Sequence, residues 1–197
     1  MNDDCVILLM PVRTPHEQEP NSIYFVTFTC YNWLPLFEIT ISYNLIYKWF
    51  DYLYFKNIRV AGYVIMPNHI HLLLYFPEMT STLNTIIGNA KRMLAYEIIK
   101  RLVKKEDTIT LSYLAAGVKE RERKKGQLHK VFNESFDAKK CITPSFVFQK
   151  LDYIHHNPTS GKWALAGDFI SYKHSSASFY EHGVGVYERL MRIEEVM

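Results

Sequence analysis

The chain has 197 residues, of which 48% are hydrophobic and 22% charged, and this composition is typical of one ordinary globular domain with a sizeable core. No apolar run approaches the roughly 20 residues that a membrane-spanning helix needs, and the N-terminus lacks the basic flank of a signal peptide. The three cysteines are widely spaced and odd in number, which argues against a disulfide framework or a zinc ribbon and favours reduced thiols in the cytoplasm.

The first half of the chain predicts three strands and one helix. Residues 1–20 contain three prolines and no sustained periodicity, so they predict an irregular lead-in. After it, β-branched and aromatic runs predict strands, and apolar residues at three-to-four spacing predict an amphipathic helix. In order, these elements are a strand over 23–30, a helix over 39–56 and a hairpin of two strands over 58–65 and 69–76.

The middle of the chain begins with a second amphipathic helix. Threonines and a serine at 80–82 form a plausible N-cap, and the apolar spacing that follows predicts a helix over 82–103. Residues 104–130 are polar and basic, and we interpret them as an insertion or a flexible segment. The apolar pair at 131–132 predicts a short strand.

The last predicted core helix opens at Thr143, an N-cap followed by proline at the first helical position. It should stop at Asn157, because Pro158 disfavours helical geometry in the residue before it. Beyond it the chain is predicted to be loop-rich, with a short helix near 187–195.

This element order predicts an α+β fold, an antiparallel sheet with helices packed mainly on one face. We assign 21–180 to one domain and 181–197 to a C-terminal tail. The sequence contains no glycine-rich nucleotide loop, no GxSxG motif and no internal repeat.

Two histidines lie at the start of the third predicted strand. His69 and His71 are two residues apart, so both imidazoles point to one face of a strand and Ile70 points to the other. We expect the histidines on the open face of the sheet, with the alternate apolar residues packed against the helices. An isolated pair of this kind also fits hydrogen-bonded surface histidines, but two parallel imidazoles can supply half of a metal site.

A second motif, at the end of the last core helix, favours the metal interpretation. Tyr153 and Asn157 are four residues apart and share one helix face, so a hydroxyl and an amide oxygen are presented together. Two imidazoles and an amide oxygen make a three-donor divalent-metal site with open positions for phosphate and water. His156 is an alternative third ligand. A phenol with a pKa near 10 is a poor nucleophile, so Tyr153 needs metal proximity or a nearby base. His155 and His156 are candidates for this accessory base, by sequence proximity alone.

Basic side chains are concentrated between 91 and 130, where they outnumber acidic ones. A charge run alone also fits a solvated helical face. Beside a candidate phosphodiester site, a polyanion-binding surface is the better interpretation. The predicted DNA-binding residues are Lys91, Arg92, Lys100, Arg101, Arg121, Arg123, Lys124 and Lys125.

Three segments together resemble a known family. They are Tyr63-Val-Ile-Met-Pro-Asn-His-Ile-His-Leu-Leu73, Tyr153-Ile-His-His-Asn-Pro158 and Tyr172-Lys-His-Ser-Ser176. In this order they resemble the single-tyrosine HUH transposases, and within them the REP-associated tyrosine transposases. The His-x-His pair alone is a weak signal, but the ordered set is highly specific and spans most of the chain, from about residue 23 to 179.

The resemblance implies a ferredoxin-like or RRM-like domain in which His69 and His71 bind Mg²⁺ or Mn²⁺ and Tyr153 is the nucleophile. Asn157 matches the position of the family's third ligand. The implied activity is cleavage and rejoining of single-stranded DNA, often beside imperfect hairpins, through a 5′-phosphotyrosine and without ATP. The expected partners are this DNA and, in a homodimer, a second copy of the chain.

The chain departs from the family pattern in two places. The family often continues Asn-Pro-Val-Arg-Ala-Gly, whereas residues 157–162 lack the arginine, and 132–136 replace a segment that usually contains tryptophan. These departures concern DNA contacts rather than metal ligands or nucleophile. The alternatives to an active transposase are a domesticated, non-mobile nucleic-acid-binding module and a structural metal-binding protein.

Overall fold

The computed structural model describes residues 18–78, 81–160 and 164–197. Most of the predicted lead-in, and residues 161–162 of the departure noted above, lie outside this part of the chain. Four antiparallel strands form one sheet in the order β2-β3-β1-β4. The strands are β1 Ser22–Thr29, β2 Arg59–Ile65, β3 His69–Phe76 and β4 Asp137–Cys141.

Seven α-helices accompany the sheet in the described ranges. They are α1 Leu36–Ile39, α2 Tyr43–Phe55, α3 Leu83–Lys104, α4 Thr108–Ala116, α5 Glu120–Arg123, α6 Pro144–His156 and α7 Ala177–His182. Short 3₁₀ helices cover Tyr31–Trp33, Asn157–Thr159 and Ile193–Val196. No helix in the described part of the chain has the length and apolar character needed to cross a membrane.

One face of the sheet packs against α2 and α3. The alternate residues of β3 that were expected to point inward, Ile70, Leu72 and Leu74, are fully buried in this cluster, so the predicted alternation is confirmed. The helix predicted over 39–56 corresponds to α2, which begins four residues later at Tyr43, and residue 39 instead ends the short helix α1. The chain breaks between them at Ile41, whose φ of 52° lies in the left-handed region.

The fourth strand lies at 137–141 rather than at the predicted 131–132. Phe132 forms only an isolated bridge with Cys30. The strand was missed because its sequence, Asp-Ala-Lys-Lys-Cys, lacks the β-branched and aromatic residues that mark strands. Charged residues are ordinary on an edge strand, which β4 is.

The segment 104–130, interpreted as an insertion or a flexible segment, contains two helices and packs on the domain. It contains α4 and α5, and Leu114 on α4 is fully buried in the core cluster of α2 and α3. Asp107 caps α4 by accepting a hydrogen bond from the Thr110 amide at 3.0 Å. Most of the basic side chains of the segment lie on its outer surface, whereas Lys130 is 6% exposed and pairs with Glu122 at 3.0 Å.

The opposite face of the sheet is covered by α6. Leu151 and Ile154 are buried against it. At Gly62 on β2 a Cβ would lie 2.8 Å from Leu151 Cδ1 on α6, so a side chain there would force the end of the Leu151 side chain to shift.

The C-terminal segment completes this second layer. The backbone amide of Ile65, at the end of β2, donates to the carbonyl of His174 at 2.8 Å, which adds a short connection at the free edge of the sheet. Ile193 is fully buried in the α6 cluster, and Tyr187 is 5% exposed on the other core. Residues 181–197 are therefore packed on the domain, and the last short helix lies at Ile193–Val196 rather than at 187–195.

A candidate metal and tyrosine site

The candidate site lies where β1 and β3 meet α6. Thr27 on β1 pairs with His71 on β3, and Thr27 Oγ1 lies 2.6 Å from His71 Nδ1. The Phe25 ring stacks on the same imidazole with ring centroids 5.6 Å apart. Because Nδ1 is engaged by Thr27, the Nε2 of His71 is the nitrogen left to face α6.

His69 is oriented by its neighbour in sequence. Its Nδ1 lies 2.6 Å from Asn68 Oδ1, an oxygen that can only accept, so this ring nitrogen carries the proton and Nε2 is the free acceptor. Asn68 in turn donates through Nδ2 to the Trp33 carbonyl at 3.0 Å, which fixes the orientation of its amide. His69 therefore presents Nε2 in the form that binds a metal, and His71 does so when its Nδ1 donates to Thr27 Oγ1.

Burial keeps the two histidines neutral. Burial lowers the pKa of His69 to about 4, and a hydrogen bond with Asn157 offsets only part of this shift. Burial also lowers the pKa of His71 well below its usual value, and the charges of His69 and Lys150 act in the same direction. The two residues are 5% and 6% exposed, so the expectation of an open histidine face is wrong, because α6 covers it. Neutral imidazoles are the ligating form.

Helix α6 turns Tyr153 and Asn157 toward the histidines. Asn157 Nδ2 lies 3.4 Å from His71 Nε2, and the ring centroids of Tyr153 and His71 are 5.1 Å apart. The Asn157 side chain also hydrogen-bonds Tyr153 and His69. Tyr153 remains 45% exposed, so a solvent-borne substrate can reach it. The structure thus brings the predicted nucleophile and the three predicted ligands into one place.

The tyrosine is not activated by its surroundings alone. Burial raises the pKa of Tyr153, and the hydrogen bond from Asn157 lowers it only in part. The phenol is therefore neutral near pH 7 and needs help to become a nucleophile.

A lysine that the motifs did not single out lies beside this tyrosine. Lys150 Nζ is 5.7 Å from the centroid of the Tyr153 ring and 5.0 Å from that of Phe25. Burial lowers the pKa of Lys150, and the charge of Lys139 on β4 lowers it further. Lys139 pairs with Phe25 in the sheet, so both ammonium groups lie on the face that carries the site. The spacing of three residues from Tyr153 on a predicted helix is the signal that could have found Lys150.

His155 does not face Tyr153. Two residues along a helix correspond to a rotation of roughly 200°, which points His155 to the other side of α6. There its Nε2 lies 2.9 Å from Ser176 Oγ, and that hydroxyl donates to the Tyr63 carbonyl on β2 at 3.2 Å. His155 is 6% exposed and ties α6 to the sheet edge, so its assignment as an accessory group is corrected to a structural role.

His156 is engaged outside the cluster. Its Nδ1 lies 3.1 Å from the Asp152 carbonyl and from the Asp152 carboxylate, and its ring packs on Phe169 with centroids 4.3 Å apart. Of the two candidates for the third ligand, Asn157 and His156, it is Asn157 that contacts His71. The geometry therefore favours Asn157 over His156 as the third donor.

Most of the predicted DNA-binding residues on α3 and α5 have partners within the protein. Lys91 Nζ donates to the carbonyls of residues 133–135, and burial lowers its pKa to about 8. Arg101 donates to the carbonyls of Thr40 and Ile41. These two residues hold loops in place, and their position does not support a role in DNA binding.

The remaining predicted bases form surface contacts. Arg121 pairs with Glu134 through two hydrogen bonds of 2.6 and 2.8 Å, and Lys124 pairs with Glu120 at 3.0 Å. Arg123 donates to the carbonyls of residues 115 and 118, and Lys100 lies 4.0 Å from Glu97. Arg92 lies 3.4 Å from Asn89, and Lys125 is exposed.

The donors at the site fit a divalent metal. Among the described residues no group of three His, Cys, Asp or Glu side chains could hold a metal ion, so a metal here needs the Asn157 amide as its third donor. A half-turn of that amide presents its oxygen in place of the nitrogen that now faces His71. Imidazole nitrogen with amide oxygen suits Mn²⁺ and also accepts Mg²⁺.

Comparisons with known proteins bear on the fold. No protein-family model matches the chain, and no curated protein matches it. The structure is similar to that of a solved REP-associated tyrosine transposase bound to a REP hairpin, with a TM-score of 0.53 and 15% sequence identity. The match covers 83% of this chain and 81% of that chain. The shared fold confirms the predicted α+β sheet, and the neighbour belongs to the group that the sequence motifs resemble.

Proposed function

We propose that this chain cleaves and rejoins single-stranded DNA through a covalent tyrosine–DNA intermediate, as a transposase does. One observation carries the proposal: the side chains of Tyr153, His69, His71 and Asn157 converge in one place. A hydroxyl nucleophile beside a three-donor metal site suits phosphodiester transfer. The fold neighbour, a transposase bound to a REP hairpin, supports single-stranded DNA beside a hairpin as the substrate class.

In the proposed reaction the Tyr153 oxygen attacks a backbone phosphorus. The bond from phosphorus to the 3′ oxygen breaks, the 3′ oxygen leaves and takes up a proton, and the proton of the phenol passes to water. The DNA 5′ end is then joined to Tyr153 as a phosphodiester. A 3′ hydroxyl can attack this phosphotyrosine in the reverse sense, which restores the phenol and joins DNA without ATP.

His69, His71 and Asn157 would hold the divalent metal. When bound, it would polarise the scissile phosphate and stabilise negative charge on the leaving oxygen. Thr27 and Asn68 hydrogen-bond the Nδ1 atoms of the two imidazoles and so orient both rings. These partners need no reorganisation at the moment of binding, because the sheet already holds them.

Lys150 would supply positive charge beside Tyr153 in the proposed reaction. Its ammonium group lies close to the Tyr153 ring and, with Lys139, supplies positive charge on the face of the sheet that carries the site. A nearby positive charge favours the phenolate and attracts the phosphate of the substrate. We therefore assign Lys150 a role in attracting the substrate phosphate beside the nucleophile.

The test is covalent capture of DNA by Tyr153. Labelled single-stranded oligonucleotides that flank a hairpin are incubated with protein and Mn²⁺, and the products are separated on a denaturing gel. The parent should yield a protein–DNA adduct, and Tyr153→Phe should yield none while binding DNA as well as the parent. Tyr52→Phe is the matched control, because Tyr52 is 47% exposed on α2 and should leave the adduct unchanged.

An adduct formed by Tyr153→Phe would overturn the assignment of the nucleophile. DNA binding by the parent without any adduct, over a range of oligonucleotides and metals, would instead indicate the non-mobile binding module.

A further inference from the structure

The turn Tyr31–Trp33 beside the site has an unusual backbone. Asn32 and Trp33 follow one another in the left-handed region, with φ values of 48° and 58°. Left-handed geometry is uncommon for residues other than glycine, and a bulky aromatic residue adopts it only where the surroundings enforce it. The indole of Trp33 is nevertheless 56% exposed, so burial of its ring does not account for this geometry.

Contacts with α4 hold the turn in this shape. Asn32 Nδ2 donates to the Tyr113 hydroxyl at 2.9 Å, and the Tyr31 amide donates to the Val131 carbonyl at 2.8 Å. At Gly117, which follows α4, a Cβ would lie 2.5 Å from the Tyr31 ring, so the Tyr31 side chain packs where any larger residue would displace it. The segment 104–130 therefore fixes the turn from outside.

The turn is also linked directly to the metal ligands. The Trp33 carbonyl accepts a hydrogen bond from Asn68 Nδ2, and Asn68 Oδ1 in turn orients the His69 ring. The indole meets the His69 imidazole edge to face, with ring centroids 5.5 Å apart and planes at 74°. A large aromatic surface thus stands in solvent immediately beside a histidine of the site.

We propose that Trp33 is a stacking platform for one unpaired nucleobase next to the phosphate that Tyr153 attacks. This inference rests on the proposed function and names how the single strand is positioned there. Stacking on an aromatic ring is the usual way in which proteins hold unpaired bases, and a rigid turn presents the ring at little entropic cost. Stacking on Trp33 would also discriminate single strands from duplexes, because both faces of a base inside a duplex are covered by its stacked neighbours.

The test combines aromatic variants with abasic DNA. Binding is measured in the Tyr153→Phe background, so that no adduct forms, with oligonucleotides that carry an abasic site at each position near the cleavage point. Trp33→Ala should bind the intact strand about 5- to 100-fold more weakly, and Trp33→Phe should recover most of this loss. Phe55→Ala, which removes an aromatic side chain that is 74% exposed at the C-terminal end of α2, should bind like the parent.

The decisive result is a coupling at one position. An abasic site there should weaken binding by the Trp33 protein and have no further effect on Trp33→Ala, whereas abasic sites elsewhere should weaken binding by both proteins equally. Uniform effects at every position would overturn the stacking role. A change in oligomeric state of Trp33→Ala without a change in DNA affinity would also overturn it, and would indicate that the indole contacts a second copy of the chain.

Failure of this inference is distinguishable from failure of the proposed function. Adduct formation by the Tyr153 protein is measured alongside, on the same oligonucleotides. An adduct without coupling at Trp33 would contradict only the stacking role of Trp33. The absence of any adduct would contradict the proposed DNA-cleaving function itself.

Discussion

The two faces of the sheet differ in what they bury. On the face of α2 and α3, β3 contributes Ile70, Leu72 and Leu74, and the cluster around them is overwhelmingly apolar. On the face of α6, the same strand contributes His69 and His71, which are buried among Thr27, Asn157 and a lysine. Burial of polar groups costs stability unless they are paired, and a chain accepts that cost where the groups do chemistry. The first layer is thus an apolar core, whereas the second combines an apolar cluster around Leu151 and Ile154 with the polar groups of the candidate site.

The sharpest test of this contrast uses two neighbouring residues of β3. His71→Ala should abolish metal-dependent adduct formation, because it removes a proposed metal ligand from the centre of the site. Leu72→Ala should lower the free energy of unfolding by about 2–5 kcal/mol, because Leu72 is fully buried among apolar side chains. Activity is measured by the adduct assay at a temperature where both variants are folded, and stability by urea denaturation.

Leu72→Ala should retain adduct formation under those conditions. Full activity of His71→Ala in the presence of a chelator would contradict the metal role of His71. Loss of activity in both variants would contradict the proposed division between a face needed for activity and a face needed for stability.

A second prediction concerns the pH dependence of stability through His155. Burial lowers its pKa to about 4, against an ordinary value of about 6.5. As the pH falls from 6.5 toward 4, the unfolded chain takes up a proton that the folded chain does not, so the free energy of unfolding falls by about 1.4 kcal/mol per pH unit for each such proton. His155→Gln cannot titrate and should flatten this slope by close to one proton, while keeping a hydrogen-bonding group for Ser176.

Urea denaturation at several pH values measures the slope. Buried histidines remain in the variant, among them His174, whose pKa burial also lowers to about 4, so a residual slope is expected. An identical slope in parent and variant would show that His155 is protonated to the same extent in both states.

The smallest expected effect is on the salt dependence of DNA binding, and it distinguishes the lysines on the α6 face of the sheet from the basic residues at α5. Lys139→Gln with Lys150→Gln should flatten the dependence of log affinity on log salt by about 0.7 for each phosphate contact removed. Arg121→Gln with Lys124→Gln should change it less, because these residues already pair with Glu134 and Glu120. Binding to single-stranded DNA is measured over a series of salt concentrations. A larger change for the second pair would restore the predicted basic run as the DNA surface.

Local patterns in the sequence determined most of the site. His69 and His71 alternate on a strand whose bounds, His69–Phe76, match the prediction, and Tyr153 and Asn157 share a face of a helix that a threonine cap and a proline define at its start. Each of these relations spans no more than four residues, so strand and helix periodicity are sufficient to predict it.

What the tertiary structure decided depends on contacts between residues far apart in the chain. Only the packed fold covers the histidines with α6, pairs His71 with Thr27, turns His155 toward Ser176 and engages Lys91 with the carbonyls of 133–135. No sequence period encodes such contacts, because they depend on strand register, on helix placement and on close approaches such as that at Gly62. The sequence by itself determined which groups are present and which face of its own element each occupies, and the packing decided which of them are neutral, oriented and exposed.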